Sequence, residues 1–282
     1  MKLPPVPPWR DGVSWRRRMK RCPIARNGLS MSSRFLTLYA AFCLFIFFFG
    51  CASGNQLLQI EKKAKAQKDI GLALRASNPR VALVHFLEAE KLSPNDPDIQ
   101  HNLALVYQDL GEYQSALPHY KKALALRPDF PIALNNLGGL YLTLKDWDNA
   151  IAAFEKLTKS VTYKTPQYAY NHLGVAYFNK KIYDKAIAMY QRALKIDPRY
   201  GGCYINLGLT YEAQMRWADA MEAYRSAQDL APEDPTPHFL LGRRYYLSGN
   251  KAKALEALFK CIELDPRGPF VEGAKRMISE LQ

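Results

Sequence analysis

Three sets of side chains in this sequence have the type and spacing to do chemistry: one cysteine, a recurring group of asparagines, and five histidines. Cys51 directly follows sixteen uncharged residues, 35–50, which Arg34 precedes. Its thiol sits beside the small Gly50 and has the chemistry of a nucleophile. The apolar run falls short of the ~20 residues a membrane-crossing helix needs. It matches the apolar core of a cleavable signal, or an uncleaved anchor in which Cys51 is an ordinary thiol. Asn102, Asn136 and Asn206 recur in one register, flanked by His101, Asn135, Asn171 and His172. An asparagine offers both a donor and an acceptor, so a ladder of them can pair with the backbone of an extended peptide. Gly139, Tyr168, Val175 and Phe178 would add apolar contact beside it. The other reading of the same residues is that each asparagine bonds a neighbouring helix.

The histidines do not extend this chemistry to catalysis. His85, His101, His119, His172 and His238 do not fall in a metal-binding spacing such as His-Glu-x-x-His. His172, beside Asn171, has no serine or cysteine partner that would make it a base. The glycines form no phosphate-binding loop. No enzyme activity, metal or cofactor is expected.

The formal net charge of +13 invites a nucleic-acid reading, which its distribution removes. Residues 1–34 carry nine Lys/Arg and one Asp, so +8 of the excess lies there. The remaining +5 is spread over more than 230 residues as a mixed surface rather than a phosphate-binding stripe. No nucleic-acid partner is expected.

What must position the asparagines is a repeat. Ile70-Gly71, Leu103-Ala104, Leu137-Gly138, Leu173-Gly174, Leu207-Gly208 and Leu241-Gly242 form one column, with successive spacings of 33, 34, 36, 34 and 34 residues. Further columns follow it: Tyr107, Tyr141, Tyr177, Tyr211 and Tyr245; then Ala116, Ala150, Ala186, Ala220 and Ala254; then Tyr120, Phe154, Tyr190, Tyr224 and Leu258. Pro128, Pro198, Pro232 and Pro266 close most copies. The first copy lacks one residue in its turn, and the third lacks the closing proline and carries two extra residues around 161–165.

These columns closely resemble the tetratricopeptide (TPR) repeat over residues 65–266. The resemblance implies an all-α fold, a right-handed superhelical solenoid of six helix-turn-helix repeats. Leu134, Leu137, Gly138, Tyr141 and Leu144 then share one packed helical face. A single helix pair cannot bury its own apolar face, so stability comes from stacking neighbours. Residues 268–281 are expected to form a capping helix whose Val271, Ala274, Met277, Ile278 and Leu281 cover the last repeat. Cys203 and Cys261 read as small packing residues rather than a disulfide.

Phe48-Phe49-Gly50-Cys51-Ala52 resembles a bacterial lipobox, in which the cysteine is acylated and becomes the mature N-terminus. That implies a signal peptide over 1–50 (Met31 being a second candidate start), a lipidated tether over 51–58, repeats over 59–266 and a cap over 267–282. Without an Asp directly after Cys51, the resemblance implies an outer-membrane lipoprotein facing the periplasm. The segments 133–141 and 168–174, with the insertion between them, look like the PilF/PilW-type type IV pilus biogenesis lipoproteins. That family implies a non-catalytic scaffold whose first helices line a binding groove, whose partners are secretin subunits and whose membrane contact is its lipid. A TPR lipoprotein scaffold for another envelope or export assembly fits the same residues. Arg243 and Arg244 read as isolated, so no clamp for an acidic C-terminus is expected.

Overall fold

The computed structural model describes residues 55–282; residues 1–54, including Cys51 and the expected signal, lie outside the described residues. The first helix, α1, spans 55–74 and so begins inside the segment expected as a tether. Twelve more follow among the described residues: α2 (Pro79–Leu92), α3 (Pro97–Asp109), α4 (Tyr113–Leu126), α5 (Pro131–Thr143), α6 (Trp147–Thr158), α7 (Pro166–Asn179), α8 (Tyr183–Ile196), α9 (Gly201–Ala213), α10 (Trp217–Leu230), α11 (Pro235–Leu247), α12 (Lys251–Leu264) and α13 (Val271–Leu281). No strand occurs among the described residues. Each helix from α2 onward packs on the next, and α5 also touches α7, as α7 touches α9. This is the helical solenoid expected: six antiparallel pairs and a terminal helix.

The helix starts follow from local chemistry. Helices α2, α3, α5, α7 and α11 begin with proline, whose missing N–H is one the first turn leaves unpaired anyway. Asp96 and Asp234 cap α3 and α11 by accepting from the backbone N–H of Asp98 at 2.7 Å and of Thr236 at 2.8 Å. The turn inside each pair from the second repeat on reverses through a left-handed residue in one column: Gly111, Lys145, Lys181, Met215 and Gly249, with φ between 58° and 76°. The two glycines adopt this conformation freely, whereas the other three carry a Cβ against it. The long turn of the third repeat is tied back by Asp129, which accepts from Ser160 at 3.1 Å and Thr162 at 3.0 Å.

The packed seam depends on size matching. A Cβ built on Gly138 would lie 2.6 Å from the Phe154 ring, on Gly174 2.4 Å from Tyr190, and on Gly208 2.3 Å from Tyr224. The small residue lets the paired helices close until the aromatic of the second helix fills the space. Phe86, Tyr120, Phe154, Tyr190 and Tyr224 are all fully buried in this way. The buried hydroxyls keep partners: Tyr224 donates to Glu212 at 2.9 Å, and Tyr120 to Gln108. Cys203 and Cys261 are free thiols buried in the seam, and burial pushes Cys203 up to about 12, so it stays protonated. At the C-terminal end α13 covers the last repeat with Val271, Ala274 and Ile278 buried, and Phe270 stacks on Phe239 at 4.7 Å.

Candidate protein-binding trough

The first helices of successive repeats, α3, α5, α7 and α9, stand side by side. One position past the small residue of each lie Leu105, Gly139, Val175 and Leu209; three further on, in α5 and α7, come Leu142 and Phe178. The leucines, valine and phenylalanine are half-buried against the core clusters, and a Cβ on Gly139 would meet nothing within 4 Å. These residues form the apolar floor of a row whose edge carries Tyr168, 42% exposed and edge-on to Tyr200 at 5.2 Å. Sequence reasoning singled out Gly139, Val175 and Phe178 but missed Leu105, Leu142 and Leu209, which share their columns.

The amides are less free than a ladder facing a ligand would be. His101, Asn102 and Asn171, expected to stand off the buried face, are buried. Asn102 donates to the carbonyl of Asp98 in its own helix at 2.8 Å. Asn136 Nδ2 meets His101 Nε2 across the repeat junction at 3.0 Å, and Asn206 Nδ2 donates to Asn171 Oδ1 across the next-but-one junction at 3.0 Å. Both links join residues 35 apart. Burial, opposed by Asp98 and aided by Arg75 and Arg127, pushes His101 down to about 4. The ring is therefore neutral at pH 7, with Nε2 free to accept from Asn136 when its proton is on Nδ1.

Between these two junctions lies the one spanning the insertion. There the corresponding residues are Asn135 and His172. Asn135 Oδ1 is buried without a hydrogen-bond partner. His172 stacks on Phe154 at 5.0 Å, and burial lowers its pKa, so it too is neutral. The middle rung thus retains unused hydrogen-bonding capacity, where its neighbours have closed theirs. An unpaired buried acceptor carries its desolvation cost until a donor reaches it.

One expectation is corrected. Arg243 and Arg244 are not isolated: both reach Glu212, at 2.7 and 3.5 Å, and Arg244 lies over the Trp217 ring at 4.1 Å. Helical stacking brings together residues some thirty apart, which sequence spacing alone does not reveal. Among the described residues no group of His, Cys, Asp and Glu is placed to hold a metal ion, and no helix is long and apolar enough to cross a membrane.

The arrangement is that of a protein-interaction solenoid, and the sequence places it in a family. Tetratricopeptide repeat families match residues 101–164, 168–200 and 205–269, together more than half of the chain. The chain belongs to the tetratricopeptide repeat proteins, which are generally non-catalytic scaffolds. Comparison with curated protein sequences gives no match. Among solved structures, PilF of Pseudomonas aeruginosa is similar at 19% identity and a TM-score of 0.64, over 79% of this chain and 98% of that one. PilW, described as a widely conserved type IV pilus biogenesis factor, is similar at 21% identity and a TM-score of 0.67, over 75% of this chain and 98% of that one. MamA of Desulfovibrio magneticus RS-1 is similar at 26% identity and a TM-score of 0.56, over 60% of this chain and 96% of that one.

Proposed function

We propose that this protein is an outer-membrane lipoprotein of a type IV pilus machine that binds secretin subunits from the periplasmic side and promotes their assembly. The observation that carries the binding reading is the unsatisfied junction between the third and fourth repeats. There Asn135 Oδ1 lacks a donor beside a row of half-buried apolar side chains. An extended segment laid along α5 and α7 would place apolar side chains against Val175 and Phe178. As the Asn135 amide turns, it would receive a backbone N–H, and neutral His172 could bond the adjacent peptide unit. Asn102, Asn136 and Asn206 then serve mainly to hold helices in register. The lipobox at Cys51 and the fold shared with PilF and PilW support the location and the pilus connection.

Deleting the gene should leave secretin as unassembled or mislocalised monomer, with surface pili lost. Secretin rings forming normally in the deletion strain would refute the assembly role. Lipidation is tested separately, by the mass of the N-terminal peptide. An acyl-modified peptide beginning at Cys51 is expected, and one retaining residues 1–50 would remove the anchor.

A further inference from the structure

The column that makes the floor of the trough carries one charge. Leu105, Gly139, Val175, Leu209, Arg243 and Met277 follow one another at spacings of 34, 36, 34, 34 and 34 residues, on α3, α5, α7, α9, α11 and α13. Arg243 thus stands between a leucine and a methionine in an otherwise apolar row. On α11 it shares a helical face with Phe239 and Tyr246, at spacings of 4 and 3. The floor resumes beyond it: Phe239 stacks on Phe270 at 4.7 Å, and Met277 is half-buried against the terminal core cluster.

Charge around Arg243 is not balanced. Its Nη2 donates to Glu212 Oε2 at 2.7 Å, while Arg244 Nη1 lies 3.5 Å from Glu212 Oε1, so two guanidiniums share one carboxylate. The Tyr224 hydroxyl donates to the same Oε2 at 2.9 Å. Among the described residues neither arginine pairs with another acid. Glu280, one helix further along, accepts from the Tyr246 hydroxyl. Arg244 is closed off, its side chain 11% exposed beneath the Trp217 ring. Arg243 is 35% exposed toward the trough. A guanidinium has five N–H donors, and Glu212 uses a minority of those on Arg243.

We propose that Arg243 receives an aspartate or glutamate side chain from the segment bound in the trough, so that the segment reads apolar, acidic, apolar. The inference rests on the reading of the trough as the partner site and names the chemistry of its occupant. Charge complementarity selects the acid: a carboxylate on the open edge of Arg243 offsets the surplus positive charge and leaves the bond to Glu212 in place. The apolar floor on both sides of Arg243 selects an internal side chain over a chain end, because the segment runs on from Leu209 toward Met277. A segment without the acid would cover a cation and leave it unpaired, which is costly away from water. Arg243 therefore sets which segments are rejected as well as which are held.

The probe is a library of random peptides displayed inside a loop of a carrier protein, so that no chain end is free. Selection on the purified protein should enrich peptides with one Asp or Glu flanked on both sides by apolar residues. Selection on Arg243→Leu should keep the apolar residues and lose the acid, and Arg243→Gln, which retains a polar tip, should lose it too. In the best selected peptide, changing the acid to its amide should weaken binding about tenfold to the parent and less than about twofold to Arg243→Leu. Added salt should shrink the parent's difference, since the guanidinium is partly exposed. No enrichment of the acid, or equal enrichment by both Arg243 variants, overturns the inference, as does a selection that yields no peptide. So does a terminal carboxylate that replaces the internal acid without loss when the peptide is synthesised as a free acid, which would give the contact to a chain end. The purified secretin subunit, titrated in parallel, reports on the proposed function separately. A subunit that binds the parent and Arg243→Leu alike sinks the acid contact alone, whereas one that binds neither while acidic peptides are selected sinks the secretin reading alone.

Discussion

Gly138 and Gly139 are neighbours on α5, yet they belong to different regions of the molecule. A Cβ on Gly138 would lie 2.6 Å from the Phe154 ring, while a Cβ on Gly139 would meet nothing within 4 Å. One belongs to the seam that holds each helix pair together, and the other to the open row of first helices. The difference shows that a single helix divides its labour by face: size is fixed along the seam and chemistry is free along the row. The sharpest way to break that division is to put the same side chain at both positions. Gly138→Leu should destabilise the array by about 3 kcal/mol, at the upper end of overpacking costs, because a fully buried ring must move. Gly139→Leu should leave thermal unfolding unchanged or raise its midpoint, since leucine is the better helix former. Equal losses from the two would mean that the row is packed like the seam.

Acid tests the boundary between seam and row, where His101 sits. Its folded pKa of about 4 lies below the ordinary value of 6.5, chiefly because burial disfavours the charged ring. The unfolded chain therefore takes up a proton at higher pH than the folded one. The contribution is complete above about pH 6.5 and is lost as pH falls toward 4, reaching about 2 kcal/mol by pH 5. His119 and His172, whose pKa values burial also lowers, add in the same direction. His101→Asn would recreate the Asn171–Asn206 link in this repeat without a titrating group. In denaturant titrations at pH 7 and pH 5, that variant should lose less stability than the parent. An unchanged pH dependence would show that His101 is solvated when folded.

The seam was legible in the sequence because it repeats. Small residue, tyrosine, alanine and aromatic return every 33 to 36 positions, and each has a size that its partner demands. The cap was legible too, since Val271, Ala274 and Ile278 fall on one helical stripe and are buried together. The row was only half legible. Its residues could be named from their register, but not their partners, because a bond such as Asn206 to Asn171 exists only once two repeats are stacked. For the same reason Arg243 and Arg244 looked isolated until folding brought Glu212 to both. The left-handed turns at Lys145, Lys181 and Met215 carry no glycine to announce them. The start of α1 at residue 55 was hidden because the repeat columns begin only near Ile70.

The finest division lies within the row, between Asn135 and Asn136, adjacent amides in different states. Asn136 bonds His101 across the junction at 3.0 Å, while Asn135 Oδ1 is buried without a partner. Asn136→Ala strands a buried imidazole nitrogen, so the variant should lose about 1 kcal/mol of stability. Asn135→Ala removes an acceptor that gains nothing in the free protein, so stability should hold or rise slightly. If an extended secretin segment uses that acceptor, Asn135→Ala should instead weaken binding by about 1 kcal/mol, roughly fivefold in Kd. Denaturant titration and a binding isotherm on the same two variants separate the roles. The expected outcome is crossed: Asn136→Ala less stable, Asn135→Ala weaker in binding. Asn135→Ala binding like the parent would move the partner off the third-to-fourth junction. Asn135→Ala losing stability as Asn136→Ala does would mean that Oδ1 already has a donor in solution, leaving the apolar floor of Val175 and Phe178 as the feature that a partner reads.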